Sequence, residues 1–514
     1  MVSYHRLLSG RARGLDRSPI LMFAQQFSVT FDQNTMIFQI FFLFFLSHGI
    51  RGENTNNTTA KVTVAPTQGN MCQVCTCTDG IVNCSSRNLE DHFEDDNWPT
   101  EPLLEVSFAK NSFVHVRAFP KVSVNRLILR ENSINTIDEG AFLELRNLTE
   151  LDLSHNQLTT PLLGPHVFRG RFSPVAYEPL PKMKVLNLAY NALHSLHRDL
   201  FEHLGSLTVL SLEGNPFMNI DDPTVDALSY LSYLEELTLS YCDLDDLPEH
   251  VFHTPKFLKR VDLTGNKFSS PPLALEDGRA LEWVALDENP IKVINENNAF
   301  PIMANLKELS LCCMHNLTAI GAGAFSGLTG LEVLHIEGCP QLEVIDENAL
   351  ASKHELGIEW PPLKKLQLAD NALHYLPAKL IGRWDKLVDL DLHNNKWGCD
   401  CKNQFLVESL LPSLGDRLMG ENANDLTCST PQEHEGKNLT SLSTRHLRCV
   451  DLYNARPERD ATVLVGILIG VLLAVPVTLA VFVFWRRGFF FYNSQGPATF
   501  SRAFYKRADR DEDF

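Results

Sequence analysis

The chain has 514 residues, more than a single ordinary globular core holds. Its formal net charge of −18 argues against a nucleic-acid partner, because such binders present a basic face. A hydrophobic content of 44% is that of a folded protein, and the acidic balance suits a soluble extracellular domain.

Residues 1–49 read as a signal or leader region. Met36 to Leu46 is M-I-F-Q-I-F-F-L-F-F-L, the length of a signal-peptide core and too short to span a bilayer. The small residues Ser47 and Gly49 place cleavage after Gly49. Arg6, Arg11, Arg13 and Arg17 make the leader long and basic, whereas a start at Met36 would leave no basic leader. Residues 50–71 are rich in Asn and Thr and poor in apolar side chains, so they read as a flexible leader. Cys72, Cys75, Cys77 and Cys84 then cluster within residues 72–102.

Over residues 103–397 a pattern recurs, L-x-x-L-x-L-x-x-N-x-L with apolar substitutes for Leu. Leu148-Leu151-Leu153-Asn156-Leu158 and Leu207-Leu210-Leu212-Asn215-Phe217 are two of about twelve copies. Most starts lie roughly two dozen residues apart, the period of leucine-rich repeats. The alternating L-x-L is a short strand with every second residue inward. The Asn follows at the turn, where its amide can both donate to and accept from backbone groups. Cys242 and Cys339 occupy the Asn slot in two copies, and the copies starting at Leu306 and Leu331 carry one extra residue. Phe119, Phe142, Phe168, Phe201, Phe252, Phe300 and Phe325 recur after the strands and predict a stacked spine. Two longer gaps, 170–181 and 352–362, predict loops on the convex side or at an edge.

Residues 398–450 hold Cys399, Cys401, Cys428 and Cys449, and 451–460 read as a juxtamembrane linker. Ala461 to Trp485 carries no charge and is long enough to span a bilayer, with Pro476 tolerable inside it. Arg486, Arg487, Arg502, Lys506, Arg507 and Arg510 follow within 486–514, which places that tail in the cytoplasm. The tail leaves no room for a kinase or Toll-type domain. Tyr492, Tyr505 and the terminal Glu512-Asp513-Phe514 are its candidate contacts for a cytoplasmic adaptor.

The cysteine groups bracketing the repeats resemble the N- and C-terminal caps of extracellular leucine-rich-repeat proteins, over about Met71 to Val450. The fold implied is α/β: a leucine-rich-repeat solenoid with a curved parallel sheet, disulfide caps and one transmembrane helix. The resemblance to short-tailed, single-pass cell-recognition proteins also implies interleaved cap pairing, Cys72 with Cys77 and Cys75 with Cys84. At the other end it implies Cys399 with Cys428 and Cys401 with Cys449. Spacing alone leaves that connectivity open. A zinc or thioredoxin reading of Cys72-x2-Cys75 fits poorly with a secretory context and no nearby His. Cys313 and Cys339 are open to bridging or to remaining free, and Cys242 reads as a buried thiol.

No metalloprotease, hydrolase-elbow, phosphate-loop or kinase motif is present, and the 18 histidines show no metal spacing. Neither an enzyme nor a bound cofactor or metal is expected. Asn56, Asn57, Asn83, Asn147, Asn316 and Asn438 stand in N-x-[ST] and are candidate glycosylation sites. The outward strand positions build a concave face, the usual solenoid binding surface. On it lie Tyr190, Glu213, Glu236, Tyr241, Asp262, Trp283, Asp287, Glu308 and Glu337, a mainly acidic set with aromatic anchors. The expected role is a plasma-membrane receptor or adhesion molecule, type I, recognising an extracellular or cell-surface protein of basic or mixed charge. The alternative is a co-receptor or decoy that captures a secreted ligand and modulates another receptor.

Overall fold

The computed structural model describes residues 70–172, 177–178, 180–355, 357–449 and 457–487. The signal run, Asn56, Asn57 and the tail beyond 487 lie outside them. Among the described residues one sheet carries fourteen strands. It begins with an antiparallel hairpin, Thr76–Thr78 against Ile81–Asn83, and every later strand joins in parallel, one per repeat.

The register is strict because the repeat is strict. Val185, Leu186 and Asn187 pair with Val209, Leu210 and Ser211, and these pair with Glu236, Leu237 and Thr238. Equivalent residues therefore stack in columns. The middle residue of each strand points inward, and Leu151, Leu186, Leu210, Leu237, Val261, Val284, Leu309 and Leu334 are all buried. Each such side chain contributes about 1.5–3 kcal/mol of apolar burial.

The Asn slots tie one turn to the next. Asn215 is fully buried; its Nδ2 donates to Leu188 O at 2.9 Å and Leu212 O at 2.8 Å, and its Oδ1 accepts from Leu193 N at 3.1 Å. Asn132, Asn156, Asn191, Asn266, Asn289, Asn371 and Asn395 donate in the same way to their own turn and the one before. Behind the sheet, Phe119, Phe142 and Phe168 stack with centroids 5.9 and 6.1 Å apart, and Phe300 and Phe325 pair at 5.7 Å. Phe201 and Phe252 are buried too.

The two longer gaps are more ordered than loops. Arg171–Phe172 pairs antiparallel with Tyr177–Glu178, and Ser352–His354 with Gly357–Glu359. Chain that leaves the solenoid satisfies its own backbone by folding back as a hairpin.

The caps differ in kind. At the N-terminal end Met71, placed by sequence in the leader, is fully buried, and Asn70 Oδ1 accepts from Cys72 N. Disulfides join Cys72 to Cys77 and Cys75 to Cys84, closing spans of 5 and 9 residues. At the other end Cys399 joins Cys428 and Cys401 joins Cys449, over 29 and 48 residues. There Leu406, Val407, Leu410 and Leu411 of a π-helical segment, Phe405–Gly415, are buried at the end of the solenoid core. A separate helix, Pro457–Arg486, contains a stretch, residues 461–486, long and apolar enough to cross a membrane.

Candidate protein-binding face

Outward residues of the parallel strands form three adjacent columns. Near the N-terminal end Arg126 sits between Glu105, at 3.2 Å, and Glu150, at 2.8 Å, so cation and anions neutralise one another across three repeats. The next two strands present Val185 and Val209, both partly exposed.

Tyr190 follows the strand of Val185, and Tyr241 follows the strand after that of Val209. Both adopt left-handed backbone, φ +52° and +54°. Each ring lies over the glycine one repeat on, Gly214 and Gly265, where a Cβ would overlap the ring. Tyr190 also stacks on His155 with centroids 4.4 Å apart. Its hydroxyl donates to Glu213 at 2.8 Å, and that bond, with burial, pushes its pKa up to about 12. The Tyr241 hydroxyl donates to Glu288 at 3.2 Å.

The centre of the face is a cation held over an aromatic ring. The Arg260 guanidinium lies 4.1 Å from the Trp283 ring centroid, while its Nε is 4.0 Å from Glu236. Arg260 and Trp283 are aligned neighbours in adjacent strands, which puts their side chains side by side.

Toward the C-terminal end, Asp262 accepts from Thr264 N at 3.0 Å, and Glu308 lies 3.5 Å from His335. Burial raises the pKa of Glu337. Asp287 departs from the expectation of an exposed anchor. Its Oδ1 accepts from Ser310 Oγ and Cys312 N, both at 2.7 Å, and burial nonetheless holds its pKa above the usual carboxylate range. It ties two repeats together. The face is therefore mixed, with most carboxylates engaged by Arg, His, Tyr or backbone partners, because a one-repeat offset puts opposite charges side by side.

The free cysteines are Cys242 and Cys339, both buried, Cys312, partly buried, and Cys313, exposed; Cys313 and Cys339 are not bridged. Burial pushes the Cys242 and Cys339 thiols up to about 12, so both stay protonated. Of the candidate glycosylation sites, Asn83, Asn316 and Asn438 are exposed. Asn147 is partly buried, its Nδ2 donating to Ser123 Oγ at 2.8 Å and its Oδ1 accepting from Lys182 Nζ at 2.6 Å. The nitrogen a glycan would occupy is thus already committed there.

The sequence pattern found the columns but not these pairings. One signal was available for the tyrosines: each stands 24 residues, one repeat, before a glycine at the same position.

The family described as Leucine rich repeat matches residues 110–170 and 172–217. The BspA type Leucine rich repeat region (6 copies) matches residues 226–357. With a disulfide cap at either end of those repeats, the family is decided. The chain is an extracellular leucine-rich-repeat protein with cysteine caps.

Relatives of this leucine-rich-repeat chain include CD180 antigen of Mus musculus, 30% identical over 186 residues, covering 36% of this chain and 26% of that protein. Podocan of Mus musculus is 26% identical over 302 residues, 58% of this chain and 45% of that protein. Transforming growth factor beta activator LRRC32 of Pongo abelii is 28% identical over 398 residues, 65% of this chain and 56% of that protein. The chain thus spans between 26% and 56% of the length of these relatives. A chain in the solved octameric complex of Latrophilin 3 (Lec, Olf), Unc5D (Ig, Ig2, TSP1) and FLRT2 (LRR) matches at 21% identity with a TM-score of 0.38. That match covers 73% of this leucine-rich-repeat chain and 99% of the other.

Proposed function

We propose that this is a single-pass plasma-membrane protein, N-terminus outside, that recognises a protein partner through the concave face as a receptor or adhesion molecule. The observation that carries the reading is the central pair, Arg260 over Trp283, with Tyr190 and Tyr241 presented on preceding repeats of the same parallel sheet. Aromatic and Arg side chains are the residue types that dominate binding energy at interfaces. Around them the face offers both signs of charge, which fits a partner of basic or mixed surface and sets specificity more than raw affinity. The orientation is supported by the four disulfides, which lie before the apolar helix, and by Arg486 and Arg487 at its C-terminal end. The reading involves no catalysis.

The test is binding of cell-displayed full-length chain to an array of extracellular domains. For a partner so found, Trp283→Ala is expected to weaken binding about 30-fold, the effect of removing a 2 kcal/mol anchor. Paired Asp262→Lys and Glu308→Lys should weaken it further. Asp287 is left intact because its loss would disturb the fold. Unchanged affinity in both variants would move the site off this face.

A second reading, capture of a secreted ligand to modulate another receptor, is favoured by the relative named as a transforming growth factor beta activator. A chain lacking residues 488–514 should keep full activity under that reading, and lose it if the tail recruits an adaptor.

A further inference from the structure

His250 and His253 stand three residues apart in sequence, and the solenoid sets them against a carboxylate of the next repeat, Asp277. His250 and His253 leave the segment that follows the strand Glu236–Thr238. Asp277 ends the short 3-10 helix Leu273–Asp277 after the strand Arg260–Asp262. His250 Nδ1 lies 2.5 Å from Asp277 Oδ2, and ligand atoms of all three residues lie within 4.8 Å of one another. Between the histidines, Val251 and Phe252 are buried in the core. That anchor, with the bond from His253 N to His250 O, keeps both imidazoles exposed on one outer flank of the solenoid.

We propose that His250, His253 and Asp277 form a site for a divalent transition-metal ion of the zinc type, bridging two consecutive repeats outside the concave face. The donor set selects the ion. Two imidazoles and one carboxylate suit zinc or copper, whereas calcium and magnesium take oxygen donors. A tetrahedral zinc with bonds of about 2.0–2.1 Å spaces its ligands by about 3.3 Å. The present spacing reaches that by small rotations of two exposed rings. Three protein ligands leave one coordination position open to water or to a donor from another molecule. Glu249, Glu276 and Arg279 are the neighbouring charges, and the two carboxylates favour a cation there. The competing account is an ordinary surface histidine–carboxylate pair, which binds no metal.

The test is zinc titration by calorimetry on the full chain in detergent micelles, stripped beforehand with a chelator. The expected result is a saturable site that the combined His250→Asn and His253→Gln variant weakens about 100-fold or more. Loss of even an outer partner of a ligand costs about 10–100-fold. Asn is chosen at 250 because it tolerates the left-handed backbone found there, φ +68°. Asp277→Asn should weaken binding at least tenfold, while His197→Gln, on another repeat, should leave it unchanged. Cobalt(II), as a spectroscopic probe, should show a visible ligand-field band that the double variant abolishes. No saturable zinc binding by the unaltered chain, or equal binding by the folded double variant, overturns the proposal.

Discussion

The first five repeats and repeats eight to ten share one sheet but hold their turns together differently. In the first five, every slot after the strand is Asn: Asn111, Asn132, Asn156, Asn191 and Asn215. One amide supplies the donors and the acceptor that adjacent turns lack. In repeats nine and ten the slot holds Met314 and Cys339, and Cys339 Sγ reaches Leu311 O only as a weak donor at 3.4 Å. There the turns are joined by a three-stranded parallel ladder, Val293–Ile294, Ala319–Ile320 and Val344–Ile345, where the first repeats have a two-stranded one, His115–Val116 with Thr136–Ile137, and by Asp287, which accepts from Cys312 N. The lesson is that a solenoid needs its turn groups paired, and side-chain amide or main-chain pairing can do it. The two halves also match different repeat families, 110–217 one and 226–357 the other.

The comparison can be broken by substitution. Asn215→Ala leaves Leu193 N buried without a partner, at about 1–3 kcal/mol, while Leu188 O keeps the amide of Asn191 and Leu212 O only the weak thiol donor of Cys242. A loss of about 3 kcal/mol is expected by chemical denaturation, against about 1 kcal/mol for Cys339→Ala, whose thiol donates only weakly. Equal losses would mean that the amide ladder is not what distinguishes the halves. Ile320, fully buried in the middle strand of the three-stranded ladder, should cost about 3 kcal/mol when cut to Ala. Hydrogen exchange should show that opening confined to residues 281–362 and absent from the first five repeats.

The smallest contrast is with pH. Burial alone would raise the Asp221 pKa, but bonds from Thr224 Oγ1, Ser195 Oγ and Thr224 N bring it below its ordinary value. Its contribution is therefore present above the unfolded carboxylate pKa and lost as pH falls through the lowered one. Burial wins at Asp287, whose pKa is raised. Between the unfolded value and the raised one the folded state binds more proton, so stability there falls as pH rises. Amide exchange measured across the acid range should show residues 195–229 loosening toward low pH and residues 283–312 tightening. Asp287→Asn should remove the second trend alone.

Much of this could be read from residues in line. The L-x-L alternation set the strands, and the recurring Asn marked a slot that only an amide fills fully. The interleaved cap bonds came through resemblance, since four cysteines permit three pairings. What stayed hidden was what stands beside each column residue. Asp287 looks like another acidic position on the face, yet Ser310 and Cys312 of the next repeat consume it. Asn147 fits a glycosylation motif, yet Ser123 and Lys182 hold its amide.

The sequence by itself determined the period, the inward and outward columns, the capped ends and the apolar helix, because each depends on spacing within a few residues. Only the tertiary structure decided who neighbours whom across repeats. Arg260 meets Trp283, Tyr190 covers Gly214, and His250 meets Asp277 because parallel register places residues about one repeat apart in sequence within a few ångströms. Small changes in repeat length shift that register, so the face and the proposed metal site belong to the stacked molecule rather than to any single repeat.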